Sequence, residues 1–323
     1  MSETSAQKRV FVGVDIGGTK VAAGLVDANG EIGAQVRVPM ISHASAEEGL
    51  SAVLQAIAQI LPGEGHADSQ VAGIGICAPG PLDPTTGVIL NPPNVPCWRN
   101  FPLADEVRKV YRVPVRVDND ANGAALAEAR WGAGRGYPSV FYATIGTGIG
   151  TGIIFDDRIF HGRTGAAGEG GHVSIDYRGP LCNCGKPGCI EVYASGTAIG
   201  KRARQRIADG GKSSMLVLAG GSLDAVNGEI VGKAFAAGDP LATEILTETA
   251  DMVALWLGNM IDLLDPHVIV IGGGAAALLQ AFFDRIRQRI PKLTVNPRSS
   301  EVPIVSSRYG ADSGIAGGAA LCA

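Results

Sequence analysis

His172, Cys182, Cys184 and Cys189 are four metal-capable side chains crowded into one short stretch of a 323-residue chain. Three thiolates and one imidazole complete a tetrahedral zinc set, and four protein ligands leave no open position, so the expected ion is structural. Gly185, Pro187 and Gly188 let the chain fold back on one ion. The plainer reading is three buried thiols, or a disulfide to Cys189; Cys182 and Cys184 are poorly placed to bridge one another. Cys77, Cys97 and Cys322 are scattered and read as core residues. His43, His66, His161 and His267 have no partner visible in the sequence.

A second kind of chemistry is spelled by glycine and threonine. Asp15-Ile16-Gly17-Gly18-Thr19-Lys20 and Gly146-Thr147-Gly148-Ile149-Gly150-Thr151-Gly152 each interrupt apolar, strand-like runs. Backbone N–H groups and small hydroxyls in two such turns can clamp a polyphosphate. Asp15, at the end of a buried strand, could hold Mg²⁺ through water. Ordinary hairpin turns give the same composition. Asp120 follows another buried strand and opens a helix. An oriented aspartate there can accept the proton of a phosphoryl-accepting hydroxyl. A helix N-cap from Asp118, Asn119 or Asp120 explains the same residues, and the two readings stand side by side. Val268 to Ile271 runs into Gly272-Gly273-Gly274, where a base or ribose could approach the backbone; a tight strand-to-helix connection reads identically.

Two better-known nucleotide signatures fail in context. Gly13 and Gly18 have P-loop spacing, but Thr19-Lys20 inverts the required order and a hairpin follows instead of a helix. Gly73, Gly75 and Ala78 resemble a dinucleotide fingerprint, but Pro79 and Pro81 oppose a helix there.

The elements that must carry these residues alternate between strand and helix. Strands are expected at 10–14, 21–26 and up to about 38, with Asn29-Gly30 as a hairpin turn. Ser45 and Glu48 form a capping box ahead of a helical run. Strands follow at 71–78 and 113–117, with a helix at 103–111 between them and an alanine-rich helix after 120. Strand, Gly/Thr turn, strand, Asp156-Asp157 turn and strand then recur from 140, a weak internal repeat that predicts two α/β domains of related build. A long helix over 240–264, a strand at 268–271, a helix over 276–290, a strand at 302–305 and a Gly/Ala helix after Asp312 complete the chain. The last helix is expected to return to the first domain, giving domains of 1–120 plus about 311–323, and 121–310.

Composition narrows the partners. Apolar residues make up 46% and charged residues 18%, against disorder. A net charge of −4 gives no footprint for nucleic acid or an anionic membrane. No apolar run reaches spanning length and no export signal is present, so a cytoplasmic protein is expected.

Taken together these residues resemble the ROK family (repressors, open reading frames and kinases) of the actin, Hsp70 and sugar-kinase superfamily. The carriers are Asp15 to Lys20, Pro93-Asn94 with Trp98, Asn119-Asp120-Ala121-Asn122, Thr147 to Gly150, Glu169 to His172, and Cys-x-Cys-Gly-x-x-Gly-Cys-x-Glu ending at Glu191. The resemblance implies two ribonuclease-H-like domains with a cleft for sugar and ATP. It implies Asp120 as catalytic base, and Gly80, Asn94, Asn119, Asp120, Glu169, His172 and Glu191 as sugar contacts. It implies Asp15, Gly17, Gly18, Thr19, Lys20, Thr147, Gly148, Gly273 and Gly274 in the ATP region, with Mg²⁺, and zinc on His172, Cys182, Cys184 and Cys189. Glucose phosphorylated at its 6-hydroxyl is the activity expected. Kinases of N-acetylmannosamine, N-acetylglucosamine and other hexoses share most of these residues. Relatives are often dimers or tetramers, so a homo-oligomer is expected. Family repressors carry an added helix-turn-helix domain; nine residues before the first strand are too few for one.

Overall fold

The computed structural model describes residues 9–43, 45–61 and 71–323; His66 lies outside them. The first sheet is built from β1 (Val10–Ile16), β2 (Lys20–Asp27), β3 (Ile32–Pro39), β4 (Val71–Ala78) and, after the small hairpin β5 (Leu82–Asp83) and β6 (Val88–Ile89), β7 (Val115–Asn119). Its order is β3-β2-β1-β4-β7. β1, β2 and β3 pair antiparallel, while β4 lies parallel to both β1 and β7. The second sheet uses β8 (Ser139–Ile145), β9 (Ile149–Phe155), β10 (Arg158–Ile159), β11 (Val268–Gly272) and β12 (Ile304–Ser306) in the order β10-β9-β8-β11-β12. β10 pairs antiparallel with β9, and β11 runs parallel to β8 and β12. The two sheets therefore repeat one order, as the internal repeat predicted, and it is the ribonuclease-H-like arrangement that the family resemblance implied. Asp156 and Asp157 both have positive φ, the geometry of a tight hairpin turn.

Two compact units result: one of residues 1–138, 152–168 and 311–323, the other of 139–151 and 169–310. The sequence suggested a change of domain at 120; here the contacts of α3 (Asp120–Arg130) keep it with the first unit.

In the first unit, alternation decides which face each strand residue serves. Val12, Val14 and Ile16 point into a core with Val53, Ile57 and Ile60 of α1 (Ala46–Ile60) and with Leu103 and Val107 of α2 (Leu103–Tyr111). Helix α1 starts on the full Ser45/Glu48 capping box, at 3.1 and 2.8 Å. Strand β7 begins at Val115 rather than 113, because Arg112 ends α2 in a left-handed conformation and Pro114 has no N–H for the ladder.

The second unit is mainly helical around its sheet: α4 (Glu191–Ala194), α5 (Gly196–Ala208), α6 (Met215–Leu218), α7 (Gly228–Ala236), α8 (Pro240–Leu264), α9 (Ala276–Leu279) and α10 (Phe283–Arg289). The single helix expected over 276–290 is broken by a 3₁₀ turn, Gln280–Phe282. That break lays Phe282 on Phe235 of α7, with ring centroids 5.4 Å apart; packing overrides the local period.

The other face of the first sheet is sealed by α11 (Ser313–Cys322), the returning helix. It lies so close that a Cβ on Gly13 would stand 1.8 Å from the Ile315 carbonyl oxygen, and one on Gly75 1.7 Å from that of Gly318. No rotamer relieves a backbone clash. Gly75→Ala should therefore destabilise the fold by about 3 kcal/mol, the upper end of ordinary overpacking. Chemical denaturation checks this; an unchanged midpoint would mean that the helix is held less tightly. Among the described residues no helix is long and apolar enough to cross a membrane.

Candidate active site

Asp15 closes β1 on the α11 side of the sheet, over the first turn of that helix: a Cβ on Gly314 would meet its carboxyl carbon at 2.3 Å. The Gly17–Lys20 turn follows, closed by Gly17 N–H donating to Lys20 O at 2.9 Å. Asp15, Gly17, Gly18, Thr19, Asn94 and Asp120 line one cavity of about 470 Å³, together with Ile16, Ser42, His43, Pro79 and Pro93. Lys20 is not in that lining, although its charge acts on Asp15. The Asn94 loop is anchored by Trp98, which is 1% exposed, stacks on Phe101 and donates to Ala46 O.

Asn119 caps α3, accepting from Ala121 N at 2.9 Å and from Asn122 N at 3.4 Å. The cap reading thus goes to Asn119, and Asp120 is the first helical residue, exposed toward the cavity. Gly80 lies beside the Asn119 side-chain amide. Asp118 is buried: Oδ1 accepts from Asn119 N at 2.7 Å and Asn122 Nδ2 at 3.0 Å, and Oδ2 meets His161 Nε2 at 2.7 Å. His161 therefore has a partner that its sequence context did not reveal.

Burial, with Asp120 as a second cause, pushes the Asp15 carboxyl up to about 6; Lys20 and Arg37 oppose this. A carboxyl with a raised folded pKa stabilises the fold below its unfolded pKa, near 4, and loses that contribution as pH rises through 6. In magnesium-free buffer, Asp15→Asn should raise stability by about 2–3 kcal/mol at pH 7.5 and by almost nothing at pH 4. Thermal melts at both pH values test it; equal shifts would refute the burial penalty.

In the second unit the Glu169–His172 segment makes a 3₁₀ turn, Gly170–His172. Gly170 donates to Thr151 Oγ1 at 2.8 Å and its carbonyl accepts from Trp256 Nε1 at 3.0 Å, which fixes the turn against the core. Glu191, at the start of α4, accepts from Ile149 N at 2.9 Å. A Cβ at Gly148 would lie 2.7 Å from Glu191 Oε2, so the carboxylate sits close over the turn. Thr147 is exposed in the same turn. Gly273, with φ of +93°, packs on the Ile145 backbone at the end of β8, and Gly274 faces open space.

His172, Cys182, Cys184 and Cys189 offer ligand atoms all within 4.8 Å of one another. His172 Nδ1 lies 3.6 Å from Cys182 Sγ, and Cys184 Sγ lies 3.6 Å from Cys189 Sγ. Tetrahedral zinc bonds of about 2.0–2.3 Å separate neighbouring ligands by roughly 3.5–3.8 Å, so these two spacings and the donor types suit the ion. Burial raises the Cys182 and Cys189 thiols; a cation among them supplies the charge that releases their protons. The Nδ1 edge of His172 faces this cluster, leaving Nε2 for another partner.

Sequence reasoning missed His161, Ser42 and His43. Each meets its neighbours across long chain separations, and no local spacing marks them.

The model of the family described as "ROK family" matches residues 11–323. A glucokinase of Thermotoga maritima is 32% identical over 317 residues, covering 97% of each chain. An N-acetyl-D-glucosamine kinase of Pasteurella multocida is 31% identical over 325 residues, 96% of this chain and 98% of that one. The crystal structure of a ROK family glucokinase from Streptomyces griseus, in complex with glucose and AMPPNP, superimposes with a TM-score of 0.81 at 36% identity, over 97% of this chain and 98% of that one.

Proposed function

This chain belongs to the ROK family, and on that premise we propose that it is a sugar kinase, transferring the γ-phosphoryl group of ATP to the 6-hydroxyl of glucose. The observation that carries the reading is the single cavity shared by Asp15, Asp120, Asn94 and the Gly17–Thr19 turn. It puts a proton acceptor, a second carboxylate and N–H-rich backbone around one space, the parts that phosphoryl transfer needs.

In the first unit Asp120 takes the hydroxyl proton as the sugar oxygen bonds to the γ-phosphorus and the bond to the β,γ-bridging oxygen breaks, leaving ADP. Asn94, Asn119 and Gly80 hold sugar hydroxyls, and Gly17, Gly18, Thr19 and Lys20 hold phosphate oxygens. In the second unit Glu169, His172 and Glu191 bind sugar hydroxyls, while Thr147, Gly148, Gly273 and Gly274 bind nucleotide. Magnesium on the polyphosphate supplies neutralising charge when bound, and Asp15 is the carboxylate suited to hold it through water. Zinc, when bound by His172, Cys182, Cys184 and Cys189, fixes the imidazole so that Nε2 meets the sugar. Carboxylates and one imidazole suit adjacent ring hydroxyls, which leaves the primary hydroxyl, the least hindered nucleophile, for Asp120. The reading carries with it a cytoplasmic enzyme that assembles as a dimer or tetramer.

The Pasteurella multocida relative keeps a second reading open, an N-acetylhexosamine kinase. A coupled assay over a sugar panel separates them. Glucose should give the highest kcat/KM, with phosphorus NMR locating the product phosphate at carbon 6. A far higher kcat/KM for N-acetylmannosamine or N-acetylglucosamine removes glucose and keeps the kinase. Phosphate at carbon 1 removes the assigned role of Asp120.

A further inference from the structure

We propose that His161 is a positioning residue for the reaction: through Asp118 it sets the strand-to-helix turn that presents Asp120. The proposal rests on the reading of Asp120 as proton acceptor.

The chain of contacts is short and directional. A carboxylate can only accept, so at 2.7 Å the His161 Nε2 must carry the proton and donate it to Asp118 Oδ2. Asp118 is 4% exposed, so a second fixed partner on that oxygen matters. Its other oxygen receives the Asn119 N–H and the Asn122 side-chain amide, at 2.7 and 3.0 Å. Those two residues bracket Asp120: Asn119 caps α3 and Asn122 lies in its first turn. The orientation of the Asp118 carboxylate therefore sets the backbone on both sides of Asp120. His161 is itself held, because its carbonyl accepts from Ala167 N at 3.1 Å and closes the loop that follows β10. The imidazole is about one-third exposed, so a loop contact, not core packing, supplies this restraint. Its pKa is raised, chiefly by the hydrogen bond to Asp118 with burial opposing, in keeping with an imidazole that donates. A misoriented Asp120 would lose proton transfer without losing the groups assigned to ATP, so the effect belongs in kcat.

The test compares His161→Ala with His161→Gln, whose amide nitrogen can stand where Nε2 stands. With glucose and ATP, His161→Ala should lower kcat roughly 10–100-fold, with the KM for ATP within about threefold of wild type. His161→Gln should recover most of that loss. A kcat within twofold of wild type in His161→Ala overturns the proposal. So does a His161→Gln variant that folds yet is as slow as the alanine one, or a loss lying wholly in KM. Hydrogen exchange needs no turnover. Amides of 118–122 should exchange faster in His161→Ala, and those of α1 should not. Unchanged exchange at 118–122 overturns the proposal even if no sugar is phosphorylated, an outcome that would separately end the kinase reading.

Discussion

Asp120→Asn should leave a protein that folds, binds glucose and turns over roughly 10²–10⁴-fold more slowly, the ordinary worth of general-base assistance. The substitution isolates the chemistry for structural reasons. Asn119, not Asp120, caps α3, so the helix start survives. The Asp120 Oδ1 that accepts from Ala121 N at 2.8 Å has an equivalent in the asparagine carbonyl. Loss of a negative charge at a helix N-terminus costs about 0.3–1 kcal/mol. Relief of the repulsion that Asp120 exerts on Asp15 works the other way. Stability should thus stay near wild type while kcat collapses, and calorimetric titration with glucose should still show binding. Turnover close to wild type would end the assignment of Asp120 as base.

The second large effect is expected at the cysteine cluster. Purified wild type should carry one zinc per chain, and Cys184→Ser should carry almost none. Cys184 is exposed, so the change opens no cavity in the core and any loss is traceable to the metal. Without the ion, His172 Nδ1 keeps only a weak contact with Cys182 Sγ at 3.6 Å and the Glu191 carboxylate at 4.0 Å, and Nε2 is held less firmly in one direction. Glucose affinity should fall about 10–100-fold, the usual cost of disturbing groups that orient a metal-bound ligand. The KM for ATP should move little, because none of the four cysteine-cluster residues is assigned to nucleotide. Metal analysis that finds no zinc in untreated, active enzyme would refute the site outright.

How much of this could be read beforehand depends on how local the signal is. The cysteine cluster, the two Gly/Thr turns and the capping box at Ser45 are spelled by neighbours in sequence, and the corresponding geometry is present. Asp120 is ambiguous in sequence because cap and base use the same residue type at the same place; the observed bonds of Asn119 give the cap to that residue, and the base is a proposal. His161 was opaque because its partner is 43 positions away. Ser42 and His43 reach the cavity from a loop with no distinctive spacing. The helix expected over 276–290 followed a sound apolar period, but periodicity cannot foresee Phe282 turning to meet Phe235. The start of β7 is legible in part, because Pro114 has no N–H to give the ladder.

The glycine-lined seat of α11 has a consequence for the order in which the molecule is made. The ribosome completes β1 and β4 early, yet the helix that seals them is encoded after residues 139–310. At about 5–20 residues per second, that interval lasts on the order of 10–30 s. Throughout it, Gly13 and Gly75 lack their cover, and Asp15 lacks the helix turn on which it rests. The first unit begun is therefore the last finished, and a nascent chain stalled within 139–310 would present an open sheet face to the cell's chaperones.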